Sequence, residues 1–161
     1  MHKDHIDALQ DDWSRQRPDL DPAPMGVVLR IQALAKILTQ QASDSLEEYG
    51  LQWWQYDVLS TLRRQGKPHT MSATALAEAA RLTSGAMTNR IDRLEAEGLV
   101  RRLPDPDDRR RVLVQLTRRG LDLIESATEA RFETALSSLD GLNAVQRRQL
   151  SDLLRLVLSE Q

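Results

Sequence analysis

The sequence predicts a mainly α-helical chain with one small β-hairpin, an α+β fold, and three observations carry that prediction. Apolar residues recur at helical spacing over most of the 161 residues. The period changes to short β-branched runs only at "LVRRL" and "RVLVQLT", and Gly50, Gly66 and Gly98 stand where periodic segments stop. In chain order, "HIDALQDDWSRQ" gives a short amphipathic helix, and the three prolines of "RPDLDPAP" predict an extended, non-helical connection. From Met25 to Tyr49 the residues Val28, Ile31, Ala35, Leu38, Ala42 and Leu46 form one stripe of a long helix that ends at Gly50. "LQWWQYDVLSTLRRQG" forms the next helix, and the loop "KPHT" leads to Met71. Ser72 is placed to cap a short helix in "SATALAEAARL", and Thr83 to cap a further one that runs through Glu97 to Gly98. "LVRRL" and "RVLVQLT" pair as a two-stranded hairpin around the charged tip "PDPDD". "RRGLDLIESATEARFETALSSL" returns to helical spacing with Leu121, Ile124, Thr128, Phe132 and Leu136 on one stripe, and "NAVQRRQLSDLLRLVLSE" does so with Leu150, Leu153, Leu154 and Val157.

Composition narrows the function classes. Cysteine is absent, which excludes disulfides, thiolate catalysis and cysteine-based zinc sites. His2, His5 and His69 are poor material for a metal site, since the first two lie near the N-terminus and the third in a loop, so no metal or cofactor is expected. No apolar run approaches the ~20 residues of a membrane span, and "MHKDHIDALQDDW" has neither a basic nor an apolar leader region, so a cytoplasmic protein with no membrane partner is expected. No glycine-rich phosphate loop, metal-ligand spacing or nucleophile–base pair is present, which argues against an enzyme. The formal charge of −2 hides a segregation: residues 81–120 are net positive while both ends are acidic, and every basic residue of 81–120 is arginine. Arginine binds phosphate through a planar donor fork, so the middle of the chain is where a polyanion would dock.

A short helix, a tight turn, a second helix and a hairpin, in that order, make a winged helix–turn–helix whose second helix enters the major groove of double-stranded DNA. In the helix 84–97, Met87, Ile91 and Leu94 would face the core. Ser84, Thr88, Asn89 and Arg93 would then point outward, able to bond base edges and phosphates. The arginine cluster Arg109, Arg110 and Arg111 on the protruding tip suits the narrow minor groove, where the negative potential is deepest.

The motifs "GAMTNRIDRLE", "GLV" followed by arginines, and "DPDDRRR" leading into "VLVQLTRRG" resemble the DNA-binding domain of the MarR family of bacterial transcription regulators. The resemblance extends from about Met25 to the C-terminus. It implies a homodimer on a pseudo-palindromic operator, with dimerisation helices in 25–50 and 121–161, a winged domain in 51–120, and a short helix with its proline-rich connection in 1–24. It also implies that Arg110 enters the minor groove with Asp108 as its support, although Arg111 stands where family members often carry a small residue. The segment around "RPDLDPAPMG", with "WQYDVLSTLRR" and "TSGAMTNRIDRL", is similar to the urate-responsive branch of the family. That similarity implies a repressor released by a small anionic aromatic effector such as urate or xanthine, with Trp13, Asp57, Arg90 and Arg102 as its ligand set. A phenolic or other aromatic acid as effector, or a nonresponsive winged-helix module, are the alternatives. The chemistry is coherent on its own: an indole stacks on a planar heterocycle and two guanidinium groups bind an anion. Asp57, on a mostly buried helix, is expected to be salt-bridged to an arginine that the anion would claim.

Overall fold

The computed structural model describes residues 3–108 and 111–159. His2, Arg109 and Arg110 lie outside the described residues. The chain divides into two compact units, Met1–Gln41 and Ala42–Gln161. Among the described residues no helix is long and apolar enough to cross a membrane, and no group of three or more His, Asp or Glu side chains is placed to hold a metal ion.

The first unit contains α1 (His5–Gln16) and most of α2 (Ala23–Glu47). Asp4 caps α1, its carboxylate accepting from the Ile6 and Asp7 amides while the Asp7 carboxylate accepts from the Asp4 amide. α2 begins two residues earlier than the sequence pattern predicts. Pro24 sits inside its first turn, where a missing N–H costs nothing because those amides have no intrahelical partner, and Asp21 accepts from the Ala23 amide at 3.0 Å. α1 buries a single side chain, Ile6, and is fastened to α2 by polar contacts centred on Arg30. The Arg30 guanidinium donates to both oxygens of Asp4, each at 2.9 Å, and to Asp7 at 2.8 Å. These hydrogen bonds hold the Asp4 carboxyl below its ordinary value of 3.8. A depressed carboxyl pKa stabilises the folded arm above the ordinary value, and that contribution is lost as pH falls through the depressed one. Arg30→Ala is expected to speed amide hydrogen exchange across α1 by about tenfold, leaving α5 unchanged, since local opening tracks the contacts holding a segment; equal protection of α1 in variant and parent would refute the role of Arg30.

The second unit follows as α3 (Trp53–Arg64), β1 (Thr70–Ser72), α4 (Ala73–Ala79), α5 (Ser84–Ala96), β2 (Val100–Pro104), β3 (Val112–Leu116), α6 (Arg118–Ser137) and α7 (Ala144–Ser159). The expected caps are present: Ser72 accepts from the Ala75 amide and Thr83 from the Ala86 amide. Gly50, Gly66 and Gly98 all take positive φ, the left-handed geometry that stops a helix. The sheet has three strands rather than the expected two, in the order β1-β3-β2, all antiparallel. β1 pairs Thr70 with Gln115 and Ser72 with Leu113, turning what reads as a loop end into a strand that flanks the hairpin.

The core joins the end of α2 to the winged domain through Leu46, Val58, Leu59, Leu62, Leu76, Met87, Ile91, Leu94, Val100, Val114 and Ile124. α6 is seated on this core at its start. Thr117 caps it, donating its hydroxyl to the Gly98 carbonyl at 2.7 Å and accepting from the Gly120 amide at 3.0 Å. Its predicted stripe divides in two: Ile124 is buried, whereas Phe132 and Leu136 are exposed. α7 buries no residue, and Leu153, Leu156, Val157 and Leu158 lie open on it.

Candidate nucleic-acid interface

α5 is amphipathic in the expected sense. Met87, Ile91 and Leu94 are at most 1% exposed, which turns Ser84, Thr88, Asn89 and Arg93 outward at the surface. The Thr88 hydroxyl donates back to the Ser84 carbonyl at 2.9 Å, which fixes its rotamer and leaves its lone pairs outward as acceptors. The front of the helix therefore presents a short polar surface with no salt bridge across it among the described residues.

The stripe of α5 turned to α3 carries two arginines on one indole. The guanidinium of Arg90 lies 5.5 Å from the centre of the Trp54 ring and that of Arg93 5.7 Å. Their three-residue spacing puts both on the same helix face, and the Trp54 N–H donates to Gln52 at 2.5 Å. An open groove of about 380 Å³ beside this stack is lined by Trp54, Gly85, Ala86, Asn89, Arg90 and Arg93. Arg93 is thus both exposed and held from behind by an aromatic face, a contact worth about 0.5–1 kcal/mol at the surface.

The wing is β2 and β3. Strand alternation puts Val100, Arg102, Val114 and Leu116 on one face, with Val100, Val114 and Leu116 buried, and Arg101 and Gln115 on the other. Arg101 donates to the Gln115 side-chain carbonyl at 2.6 and 2.9 Å, and Gln115 donates to the Pro68 carbonyl at 3.0 Å. At the described part of the tip, Asp108 pairs with Arg111 at 3.5 Å, and the Arg111 amide donates to the Asp108 carbonyl at 2.9 Å. The two other wing arginines named from the sequence, Arg109 and Arg110, are outside the described residues, as is the expected support of Arg110 by Asp108.

The four residues assigned to an effector divide between the units. Trp13 is on α1, half exposed, against an apolar pocket of about 220 Å³ formed with Leu20, Asp21, Pro22 and Met25. Asp57, Arg90 and Arg102 are in the second unit. Asp57 is half-buried and forms no ion pair among the described residues, contrary to the expected salt bridge; its partial exposure lets water take the place of a counter-ion. Arg102 is instead paired with α5. It donates to Asp92 at 2.5 Å and to Glu95, whose other oxygen accepts from the Arg102 amide at 2.9 Å. Burial lowers the Arg102 pKa, but the hydrogen bonds and charges of Asp92 and Glu95 outweigh it and raise the pKa overall, so the guanidinium stays charged. Sequence reasoning missed Trp54, Asp92 and Glu95 as members of this region. Asp92 and Glu95 stand three apart on α5, as Arg90 and Arg93 do, and that spacing was the available signal.

Residues 51–112 match the family model described as MarR family. Over 142 residues the chain is 33% identical to the HTH-type transcriptional regulator PecS of Dickeya dadantii, covering 88% of this chain and 86% of that one. The structure of Bordetella bronchiseptica BpsR, a protein whose DNA binding is regulated by 6-hydroxynicotinic acid, is similar at TM-score 0.67 and 28% identity, over 81% of this chain and 91% of BpsR. The S. aureus MepR–DNA complex shares the fold at TM-score 0.71 and 23% identity, over 83% of this chain and 97% of MepR.

Proposed function

The chain belongs to the MarR family, and from that membership we propose that it is a ligand-responsive repressor, acting as a homodimer on a pseudo-palindromic operator. The family is one of DNA-binding transcription regulators and not of enzymes. The observation that carries the reading is α5, capped, backed by a buried apolar stripe and open to solvent along Ser84, Thr88 and Asn89, beside a wing that ends in arginines. The dimer is supported by apolar surface that the chain leaves uncovered on α7 and the second half of α6. Two-fold symmetry then presents two recognition helices about one helical turn apart.

The effector reading is a small anionic aromatic molecule such as urate or xanthine, received by Trp13, Asp57, Arg90 and Arg102. Asp57 supports it in a specific way: its carboxylate has no ion-pair partner among the described residues, so no bound cation offsets its repulsion of an arriving anion. A gel-shift series on the gene's own upstream region, with and without urate and xanthine, tests the reading; DNA affinity unchanged by either molecule would remove urate-type effectors. Asp57→Asn keeps the shape and deletes the charge, so ligand binding should persist while its effect on DNA shrinks by most of the roughly 1–3 kcal/mol typical of such coupling. Calorimetric ligand binding alongside DNA affinity at saturation separates the two, and a full response in Asp57→Asn would overturn repulsion by Asp57. Trp13→Ala should weaken ligand binding and leave DNA affinity within about twofold, because the indole would stack on the ligand and touch no DNA.

A second reading, an aromatic acid as effector, is favoured by the 28% identical BpsR, whose regulator is 6-hydroxynicotinic acid. The same gel-shift series with that acid distinguishes the two.

A further inference from the structure

Arg102 is the one described wing residue whose side chain is tied to the recognition helix by ion pairs. Three hydrogen bonds converge there: the guanidinium to Asp92 at 2.5 Å, the guanidinium to Glu95, and the Arg102 amide to the second Glu95 oxygen at 2.9 Å. Glu95 thereby grips both the backbone and the side chain of a single β2 residue, which fixes the strand in direction as well as in distance. Strand register explains the aim. Arg102 shares the inward face with Val100 and Val114, so its side chain leaves the sheet toward the core, and Asp92 and Glu95 meet it from one face of α5.

We propose that Asp92 and Glu95 are wing-positioning residues, holding β2 against α5 through Arg102, and that an anionic effector acts by displacing these two carboxylates from that guanidinium. The second half rests on the effector reading above. The first half stands without it. Asp92 and Glu95 touch no base in this role; they set the angle between the two DNA-reading elements, so that α5 in the major groove and the wing in the minor groove engage together. An anion arriving at Arg102 offers the guanidinium new acceptors, and the two carboxylates released into partial solvent no longer hold the strand.

The sign of the effect makes the test sharp. Asp92→Asn with Glu95→Gln removes two negative charges from the reading surface, which by electrostatics alone tightens DNA binding. Positioning predicts the reverse, a loss of roughly three- to tenfold in operator affinity, the scale of a partly exposed ion-pair network. The double variant is made in the parent chain and in a chain carrying Arg110→Ala and Arg111→Ala. The expected result is a loss in the first background and none in the second, because a wing without these two tip arginines has no minor-groove contact for correct placement to serve. Equal losses in both backgrounds, or tighter binding in the parent, would overturn the positioning role. Amide exchange of β2 and β3 should rise in the double variant while α3 keeps its protection; should the double variant fail to fold, Arg102→Lys, which keeps the charge and loses the fork, carries the same comparison.

Urate is the probe for the second half. If urate weakens operator binding by the parent, it should weaken the double variant less, since the tie is already broken; an equal fold-change in both overturns displacement. If urate leaves the parent unaffected, the urate reading and the displacement step fail together, and the positioning role is judged by the two backgrounds alone.

Discussion

Gly120→Ala is expected to destabilise the protein by about 3 kcal/mol, a fall of the melting temperature on the order of 6–12 °C for a chain of this size. A β-carbon at Gly120 would lie 2.0 Å from the Leu99 carbonyl oxygen and 2.8 Å from its carbon. Both are backbone atoms, and Leu99 is held at that place by the hydrogen bond its N–H donates to the Leu94 carbonyl, by the hydrogen bond its carbonyl accepts from the Thr117 N–H, and by burial of its side chain. The first turn of α6 must therefore retreat, and the Thr117 cap and the Ile124 contact with the core go with it. Gly26 shows the contrast. The three atoms nearest a β-carbon there all belong to the end of the Gln10 side chain, which can swing away at the loss of its hydrogen bonds to the Pro22 carbonyl and from Arg30. Thermal unfolding followed by circular dichroism decides the matter: a Gly120→Ala midpoint within about 2 °C of the parent would mean that α6 is not locked to Leu99.

Arg110→Ala is expected to weaken binding to every DNA sequence by at least about tenfold, whereas Asn89→Ala or Thr88→Ala changes the preference among sequences. In the proposed roles a wing arginine would read groove shape and potential, which all sequences share in part, and the front of α5 would read base edges, which they do not. Arg111→Ala should cost less than about threefold, since its guanidinium is already committed to Asp108. Parallel titrations of the operator and a scrambled duplex distinguish these outcomes. A neutral Arg110→Ala with a crippled Arg111→Ala would shift the wing register by one residue.

Much of the fold was legible because it is written in local periods. The stripe Met87, Ile91 and Leu94, the caps at Ser72 and Thr83 and the glycine stops all came from spacing alone and stand in the structure. What escaped was non-local or too short to have a period. β1 is three residues long, and only β3, far along the chain, makes it a strand. Pro24 reads as a breaker, but the first turn of a helix tolerates it. Asp57 is expected to be salt-bridged to an arginine because its helix reads as mostly buried, but Asp57 itself is half-buried and unpaired among the described residues, and the partners of Arg102 are Asp92 and Glu95 on α5, whose spacing was there to be found.

The pairing of β1 with β3 has a consequence for the order in which the chain assembles. α4, α5 and β2 all lie between these two strands, so the reading helix is enclosed in a loop that closes only when Val112–Leu116 is available to pair with Thr70–Ser72. Closing so long a loop carries an entropic cost that no contact within α4 and α5 repays beforehand. While the chain is being synthesised from its N-terminus, α5 leaves the ribosome well before β3. The proposed recognition helix is therefore produced before the strand that closes the sheet around it, and a chain released before Val112 carries the residues proposed to read DNA without that strand.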